Sequence, residues 1–168
     1  MIDSSDDMLP VVDVHGNIIG AATRRECHEG GKLLHPVVHL HVFNSKGELY
    51  LQKRPRWKDI QPGKWDTSCG GHVGLGENVG QALRREVKEE LGIEDYKAEF
   101  IVDYIFESTC GRELVYVFRT VYDRPLRPDA EELDGGRFWS RKEIGDNVGR
   151  GVFTPNFEDE YKKYIKKT

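Results

Sequence analysis

Polar and apolar residues alternate in several short runs near the start of the chain. Two apolar-rich runs within 10–24 flank a polar turn at 15–17, a pattern typical of a β-hairpin. Residues 37–43 and 48–54 flank a second turn at 44–47. Two successive hairpins are therefore predicted, with His39 and His41 at solvated or hydrogen-bonded strand positions.

The pattern changes twice in the middle of the chain. Residues 55–77 show no period and are rich in glycine, which predicts a long loop, and long ordered loops are often functional. From 78 to 91 apolar residues recur every fourth position, and Gly92 follows where a helix commonly ends. This segment is the best helix candidate in the chain.

Two further strands, 98–107 and 114–121, precede a loop rich in proline and acidic residues. A short strand at 137–140 and a terminal helix at 156–167 follow, with Thr154 as the expected helix cap. Hairpins combined with segregated helices indicate an α+β fold around a mixed β-sheet. We expect one domain over residues 1–168, in which residues 1–26 form an N-terminal β-hairpin extension.

Charge and cysteine content narrow the class of protein. The 29 acidic and 25 basic residues give a net charge of −4, which does not favour binding to a nucleic acid polymer or an anionic membrane. No segment approaches the roughly 18 to 20 apolar residues of a membrane span. The 3 cysteines form no CxxC pair, and the N-terminus does not resemble a signal peptide. A cytoplasmic location is expected.

Three glutamates in the predicted helix are candidates for metal binding. On a helix, Glu86, Glu89 and Glu90 fall within about 100° of one another. Carboxylates packed this closely resist ionisation unless a cation neutralises them, and oxygen ligands suit a hard divalent metal such as Mg²⁺. The alternative is a solvated helix face on which Arg84, Arg85 and Lys88 form i,i+4 pairs with these acids.

The wider spacing pattern favours the metal site. Gly71 is followed after five residues by Glu77, and after seven more by Arg85-Glu86-Val87. Glu89-Glu90 and Gly92-Ile93 then follow, each after one residue. This arrangement resembles the Nudix signature without a departure. The resemblance implies an α/β/α sandwich that hydrolyses a diphosphate linkage in a small molecule with Mg²⁺, for which Mn²⁺ is a possible substitute.

The resemblance also implies roles for residues in the Nudix box, 71–93. It assigns as metal ligands Glu86, Glu89, Glu90 and the carbonyl of Gly71. One of the glutamates, with Glu86 and Glu89 the main candidates, would orient or deprotonate the attacking water. Arg85 would hold the carboxylates, and Glu77 would support the junction of loop and helix or act as an outer ligand.

A second resemblance covers residues 27–120 together with the first. The segments CHEGGKLLHPVVHLHVFN and LQKRPRWKDIQPGKWDTSCGGHVGLGE resemble type I isopentenyl-diphosphate isomerase, a Nudix relative. In that enzyme three histidines and two glutamates hold a metal and a cysteine does acid–base work on carbon. The matching residues here are His28, His35, His72 and Glu113. The histidines could equally be hydrogen-bonded structural residues.

Two departures favour hydrolysis over isomerisation. Gly70, and not Cys69, aligns with the catalytic cysteine, and Gly111 stands where the other glutamate would be. Isomerases also commonly have a degraded Nudix box, whereas this box is complete. An isomerase-like enzyme and a catalytically silent nucleotide-binding Nudix module are the alternatives.

Other charged residues have two interpretations each. Lys53, Arg54 and Arg56 would clamp a substrate diphosphate, or are solvated surface charge. By the resemblance to Nudix enzymes, several of which carry an extra glutamate at this place, Glu131 and Glu132 would supply an additional base or ligand, or they belong to an acidic surface loop. The edge strands of the N-terminal hairpin would pair in a homodimer, an idea that light scattering can test.

Overall fold

A ten-residue strand, β3 (Leu34–Phe43), lies at the middle of a curled β-sheet. The computed structural model describes residues 6–29, 32–57, 61–129 and 135–168. The other strands are β1 (Met8–Val12), β2 (Ile18–Thr23), β4 (Leu49–Lys53), β5 (Trp65–Asp66), β6 (Cys69–His72), β7 (Glu99–Ser108), β8 (Gly111–Val121) and β9 (Gly136–Trp139). The helices are α1 (Arg24–His28), α2 (Val79–Leu91), α3 (Arg141–Asn147) and α4 (Pro155–Glu160), which continues as a π-helix, Tyr161–Ile165.

The main sheet is mixed, as predicted. Its order is β5-β4-β3-β8-β7, with β6 also paired to β3 and β9 to β4. The pair formed by β3 and β8 is parallel, and the other pairs are antiparallel. The predicted N-terminal hairpin is confirmed as the antiparallel pair β1 and β2.

Helices cover both faces of the sheet. Val38, Leu40 and Val42 of β3 share one core with the apolar side of α2. Val37 and Phe43, on the opposite face of β3, share the other core with α3, α4 and the π-helix. A strand buried on both faces needs apolar residues at nearly every position, and the resulting arrangement is the predicted α/β/α sandwich.

The N-terminal hairpin packs on the end of this sandwich. Val12 of β1 contacts a small core with Leu34 and Leu114. The hairpin is followed by α1, a helix that the sequence pattern did not predict. Its start is explained by a capping box, in which Thr23 accepts from the backbone N–H of Glu26 and the Glu26 side chain accepts from that of Thr23.

The prediction that residues 55–77 form one long loop is wrong. Strands β5 and β6 lie in this segment. Strand β6 is held by pairing with the buried strand β3, in a register that places Val38 opposite Gly71. Because this pairing uses backbone groups, two glycines can occupy a strand without an alternating side-chain pattern.

The helix-capping predictions are confirmed. Helix α2 ends at Gly92, whose φ of 68° is left-handed, and Thr154 accepts from the backbone N–H of Phe157 at the start of α4. The short helix α3 was not predicted, although Ser140 and Glu143 form its capping box. Among the residues that the structure describes, no helix is long and apolar enough to cross a membrane.

Candidate active site

Strand β6 and helix α2 approach each other most closely at Gly71 and Glu86. A Cβ built on Gly71 would overlap the carboxyl group of Glu86. A side chain at this position would therefore displace the Glu86 carboxylate from its place beside the strand. The same approach leaves the backbone of residue 71 beside a carboxylate, as expected for two members of one metal site.

Arg85 connects the loop after β6 with α2. Its Nε and Nη2 donate to the two oxygens of Glu77, each at 2.8 Å. Its Nη1 donates to Oε1 of Glu86 at 2.7 Å, and Nη2 also reaches the carbonyl of His72 at 2.9 Å. Hydrogen bonds from Arg85 lower the pKa of Glu77, and those to Glu77 raise the pKa of Arg85. The predicted role of Arg85 in holding carboxylates thus has matching geometry.

The three box glutamates lie in different environments. The Glu86 side chain is only 13% exposed, and burial raises its pKa, an effect that Arg85 opposes and Glu89 reinforces. Glu89 is 60% exposed and lies 3.5 Å from Arg85. Glu90 accepts weakly from the amide of Gln52 and the backbone N–H of Gly70, both at 3.4 Å.

These carboxylates fit a divalent cation. A buried carboxylate with a raised pKa, beside a second carboxylate, gains most from a positive charge at the same place. The donors are all oxygen atoms, the ligand type preferred by Mg²⁺ and Mn²⁺. Because Gly71 has no side chain, the carboxylate of Glu86 can lie directly against the backbone of β6.

Three histidines form a second cluster beside the first. One ligand atom of each of His28, His35 and His72 lies within 4.8 Å of the others. Nδ1 of His28 and Nδ1 of His35 donate to the carbonyls of Cys110 and Leu33, each at 3.0 Å. These bonds leave the Nε2 atoms of both rings facing the cluster, as in many histidine metal ligands.

The cluster also contains charged neighbours. Nε2 of His35 is buried without a hydrogen-bond partner and lies 3.8 Å from Glu113. Burial lowers the pKa of His35 and, more strongly, that of His72, so that both rings are neutral and able to bind a metal. Arg24 lies only 2.7 Å from Nδ1 of His72, and its charge opposes a cation there.

The position of Cys69 bears on the comparison with isomerases. Cys69 is buried in the core beneath α2, and burial and then Glu90 raise the pKa of its thiol well above the ordinary value. Gly70 faces the opposite side of β6, where an added Cβ would meet His39 at 3.1 Å. Since neighbouring strand residues point to opposite faces, a one-residue shift cannot exchange them without breaking the pairing with β3.

The remaining predicted residues are less closely connected to the box. Lys53 ends β4, and Arg54 lies 3.6 Å from Asp66 in the neighbouring strand. Arg56 is exposed in the loop that follows. Glu131 and Glu132 lie outside the described residues.

Sequence reasoning missed two residues that contact the predicted sites. Gln52 reaches Glu90 from β4, and Arg24 reaches His72 from α1. Gln52 interrupts an apolar strand, a polar signal that could have been noticed. Arg24 is adjacent to other charged residues and has no distinguishing local pattern.

Comparison with known proteins agrees with this geometry. The model of the NUDIX domain matches residues 33–157. The chain belongs to the Nudix family. An uncharacterised Nudix hydrolase of Pseudomonas aeruginosa is 36% identical over 135 residues, which cover 80% of this chain and 79% of that protein. Family and relatives support a hydrolase, and Nudix hydrolases generally use divalent metal ions.

Isomerases are also among the Nudix relatives. An isopentenyl-diphosphate Delta-isomerase of Streptomyces avermitilis is 31% identical over 156 residues, covering 89% of this chain and 79% of that protein. A crystal structure of a Deinococcus radiodurans protein has the same fold, with a TM-score of 0.81 and 22% identity. The structural alignment covers 94% of this chain and 98% of the Deinococcus radiodurans chain.

Proposed function

We propose that this Nudix hydrolase cleaves a diphosphate linkage in a nucleotide or another small organic diphosphate, by attack of water at phosphorus. The observation that carries the proposal is the set of hydrogen bonds by which Arg85 joins Glu77 and Glu86, next to Gly71, where a side chain would overlap the Glu86 carboxylate. Such an array fixes the positions of several carboxylates before any substrate arrives.

The proposed cofactor is Mg²⁺, with Mn²⁺ as a substitute. Glu86, Glu89, Glu90 and the carbonyl of Gly71 would hold it, and Glu77 would support the loop or act as an outer ligand. A bound ion would polarise a phosphoryl oxygen and lower the pKa of a water molecule. Glu86 or Glu89 would orient that water or accept its proton.

Basic residues at the end of β4 would bind the substrate's diphosphate. In this proposal Lys53, Arg54 and Arg56 offset part of the substrate charge, which the carboxylates alone would repel. Glu131 and Glu132, which lie outside the described residues, are proposed to act as an additional base or ligand.

The histidine cluster is proposed as a second metal or substrate site. The support is the convergence of His28, His35 and His72, together with the unpartnered Nε2 of His35 near Glu113. Nδ1 of His72 accepts from Arg24 and Nε2 of His72 lies 3.2 Å from Nε2 of His28, so a metal bound to His72 requires Arg24 to leave Nδ1. A substrate anion, in contrast, would be attracted by Arg24.

An isomerase-like reaction is the second candidate, favoured by the same cluster. Against it stand Gly70 and Gly111 at two positions where the isomerase pattern has a cysteine and a glutamate. The thiol of Cys69 lies on the other face of β6 and is held in its protonated form by a raised pKa. The thiol that the isomerase pattern has at this position is therefore missing at Gly70.

We further propose that residues 1–168 act as one domain in the cytoplasm. The three cysteines are free thiols, which fits a reducing compartment. Pairing through the exposed strand β2 would give a homodimer, because Ile18 and Ile19 are 64% and 66% exposed. Light scattering that finds a monomer at high concentration would exclude this dimer.

The deciding experiment compares the wild type with Glu89→Gln. Each is incubated with Mg²⁺, ¹⁸O-labelled water and a panel of nucleotide and isoprenoid diphosphates, and products are identified by ³¹P NMR. We expect the wild type to release phosphate-containing products that carry one ¹⁸O, and the variant to lose most activity. Glu94→Gln is the matched control, because Glu94 is 71% exposed and its one ion pair among the described residues is with Lys88 at 3.0 Å.

Each other outcome excludes part of the proposal. Formation of dimethylallyl diphosphate with the diphosphate intact would establish the isomerase alternative. Nucleotide binding without any product would establish a silent binding module. Equal activity of Glu89→Gln and Glu94→Gln would remove Glu89 from the proposed site.

A further inference from the structure

A fully buried carboxylate lies beneath the sheet, on the face opposite α2. Glu160, the last residue of α4, accepts hydrogen bonds from Nδ1 of His39 at 2.8 Å and from Nε2 of His41 at 2.5 Å. The hydroxyl of Tyr104 donates to the same carboxylate at 2.6 Å. The histidines predicted to be solvated or hydrogen-bonded are thus hydrogen-bonded and buried.

This arrangement places a positive charge on His39. A buried carboxylate that accepts three hydrogen bonds is stable as an anion, and a buried anion requires a cation beside it. Burial alone would lower the pKa of His39, but the charge of Glu160 and its hydrogen bond raise it to about 9. Both ring nitrogens of His39 therefore carry protons near neutral pH.

Only one of these two N–H groups has a partner within the described part of the chain. Nδ1 is bonded to Glu160, while Nε2 forms no hydrogen bond with a described residue. His39 is 9% exposed, and the ring edge that carries Nε2 lies 3.5 Å from the Cβ position of Gly70. A larger residue at position 70 would cover this edge, and glycine leaves it open.

The open edge lies next to the proposed reaction centre. Gly70 precedes Gly71, whose carbonyl is a proposed metal ligand, and its N–H contacts Glu90. The negative charges of Glu113 and Asp66 also raise the pKa of His39. The Nε2–H of a protonated His39 is a charge-assisted donor beside Gly70, suited to an anionic oxygen.

We propose that His39 is a substrate-binding residue, which Glu160 positions so that its Nε2–H donates to an oxygen of the substrate's diphosphate beside Gly70. The inference rests on the proposed function, since it assumes a diphosphate ligand. His41 binds the same carboxylate from the same strand but is fully buried, so it has no access to a ligand. It serves as an internal control.

The direct test uses ¹⁵N-histidine NMR of the wild-type protein. Methylenediphosphonate, whose oxygens stand in for those of a diphosphate, is added together with Mg²⁺. We expect the Nε2 resonance of His39 to shift on binding and that of His41 to stay unchanged. A shift at neither histidine, in protein that binds the probe, would overturn the role of His39.

Two variants of His39 separate binding from structure. His39→Asn keeps a donor at the position of Nδ1 and removes the one at Nε2, whereas His39→Gln does the reverse. We expect His39→Asn to weaken probe binding about tenfold to a hundredfold, the usual range for a charge-assisted hydrogen bond. His39→Gln should recover part of this loss, and His41→Gln should bind as the wild type does.

The outcomes distinguish this inference from the proposed function. If the wild type binds the probe and His39→Asn binds it equally well, His39 has no ligand role and the hydrolase proposal is unaffected. If the wild type does not bind the probe with Mg²⁺, the diphosphate proposal fails and the role of His39 fails with it. Should His39→Asn not fold, the wild-type resonances still decide.

Discussion

At the scale of one residue, Gly71 packs against the Glu86 carboxylate and is itself a proposed metal ligand. Its missing side chain leaves space that the Glu86 carboxylate approaches. We expect Gly71→Ala to weaken Mn²⁺ binding about tenfold or more, because the methyl group would displace a proposed ligand. Electron paramagnetic resonance of free Mn²⁺ measures the affinity.

Gly80→Ala is the control for this change. Of the atoms that the structure describes, a Cβ at Gly80, inside α2, would meet only Oδ1 of Asn78, at an ordinary 3.5 Å. Its Mn²⁺ affinity should equal that of the wild type. Equal affinities for Gly71→Ala and Gly80→Ala would contradict a metal site at Gly71.

Arg85 is the second residue whose geometry predicts a measurable effect. Lysine has no planar fork, so Arg85→Lys cannot donate to Glu77 and Glu86 at the same time. We expect kcat/KM to fall about tenfold to a hundredfold, as is usual when supporting residues of a metal site are lost. Arg84→Lys, at the exposed neighbouring position, should retain full activity, and a comparable loss there would argue against this role.

At the scale of elements, the end of α2 depends on one backbone conformation. Gly92 has a φ of 68°, and a Cβ there would lie 2.7 Å from Cβ of Arg127. Gly92→Ala should therefore lower the free energy of unfolding by at least about 1 to 2 kcal/mol, the cost of a left-handed alanine, before the clash is added. Urea denaturation measures this quantity.

A glycine in another helix provides the comparison. Gly145 lies within α3, and a Cβ there meets no atom of the described residues within 4 Å. Gly145→Ala should be neutral or stabilise the protein by roughly 0.5 to 1 kcal/mol, since alanine is the better helix former. Equal destabilisation by both changes would show that left-handed geometry is not what matters at Gly92.

At the scale of the whole molecule, Glu160 connects the last helix with the central strand. The pKa of His39 is raised from 6.5 to about 9, so its contribution to stability is complete below pH 6.5 and is lost as the pH rises through about 9. Burial alone would raise the pKa of Glu160, but His39 and His41 lower it well below 4.5. The contribution of Glu160 is therefore present above pH 4.5 and is lost in stronger acid.

Thermal unfolding measured between pH 6 and about 9 tests whether stability depends on the protonation of His39. The wild type should lose stability towards the alkaline end of the range, and Glu160→Gln, although less stable throughout, should show a flatter profile. A wild-type profile without alkaline loss would contradict a charged His39. Parallel profiles of the two proteins would assign any loss to other groups.

The sequence by itself determined the features that depend on neighbours along the chain. The spacing of Leu83, Val87 and Leu91 was enough to predict α2, because one helix face repeats every three to four residues. The caps at Gly92 and Thr154 follow from local backbone chemistry. The spacing within the box 71–93 was likewise sufficient to indicate the family.

Only the tertiary structure decided which distant residues meet. His39 and Glu160 are 121 residues apart, and Arg24 and His72 are 48 apart, so no local period connects them. Strand β6 was hidden for the same reason, since its two glycines are held by backbone bonds to β3 and not by their own side chains. Long-range pairing and burial of charge are properties of the folded chain. Local sequence patterns therefore could not reveal that the His39 side chain lies beside Gly70 and pairs with Glu160.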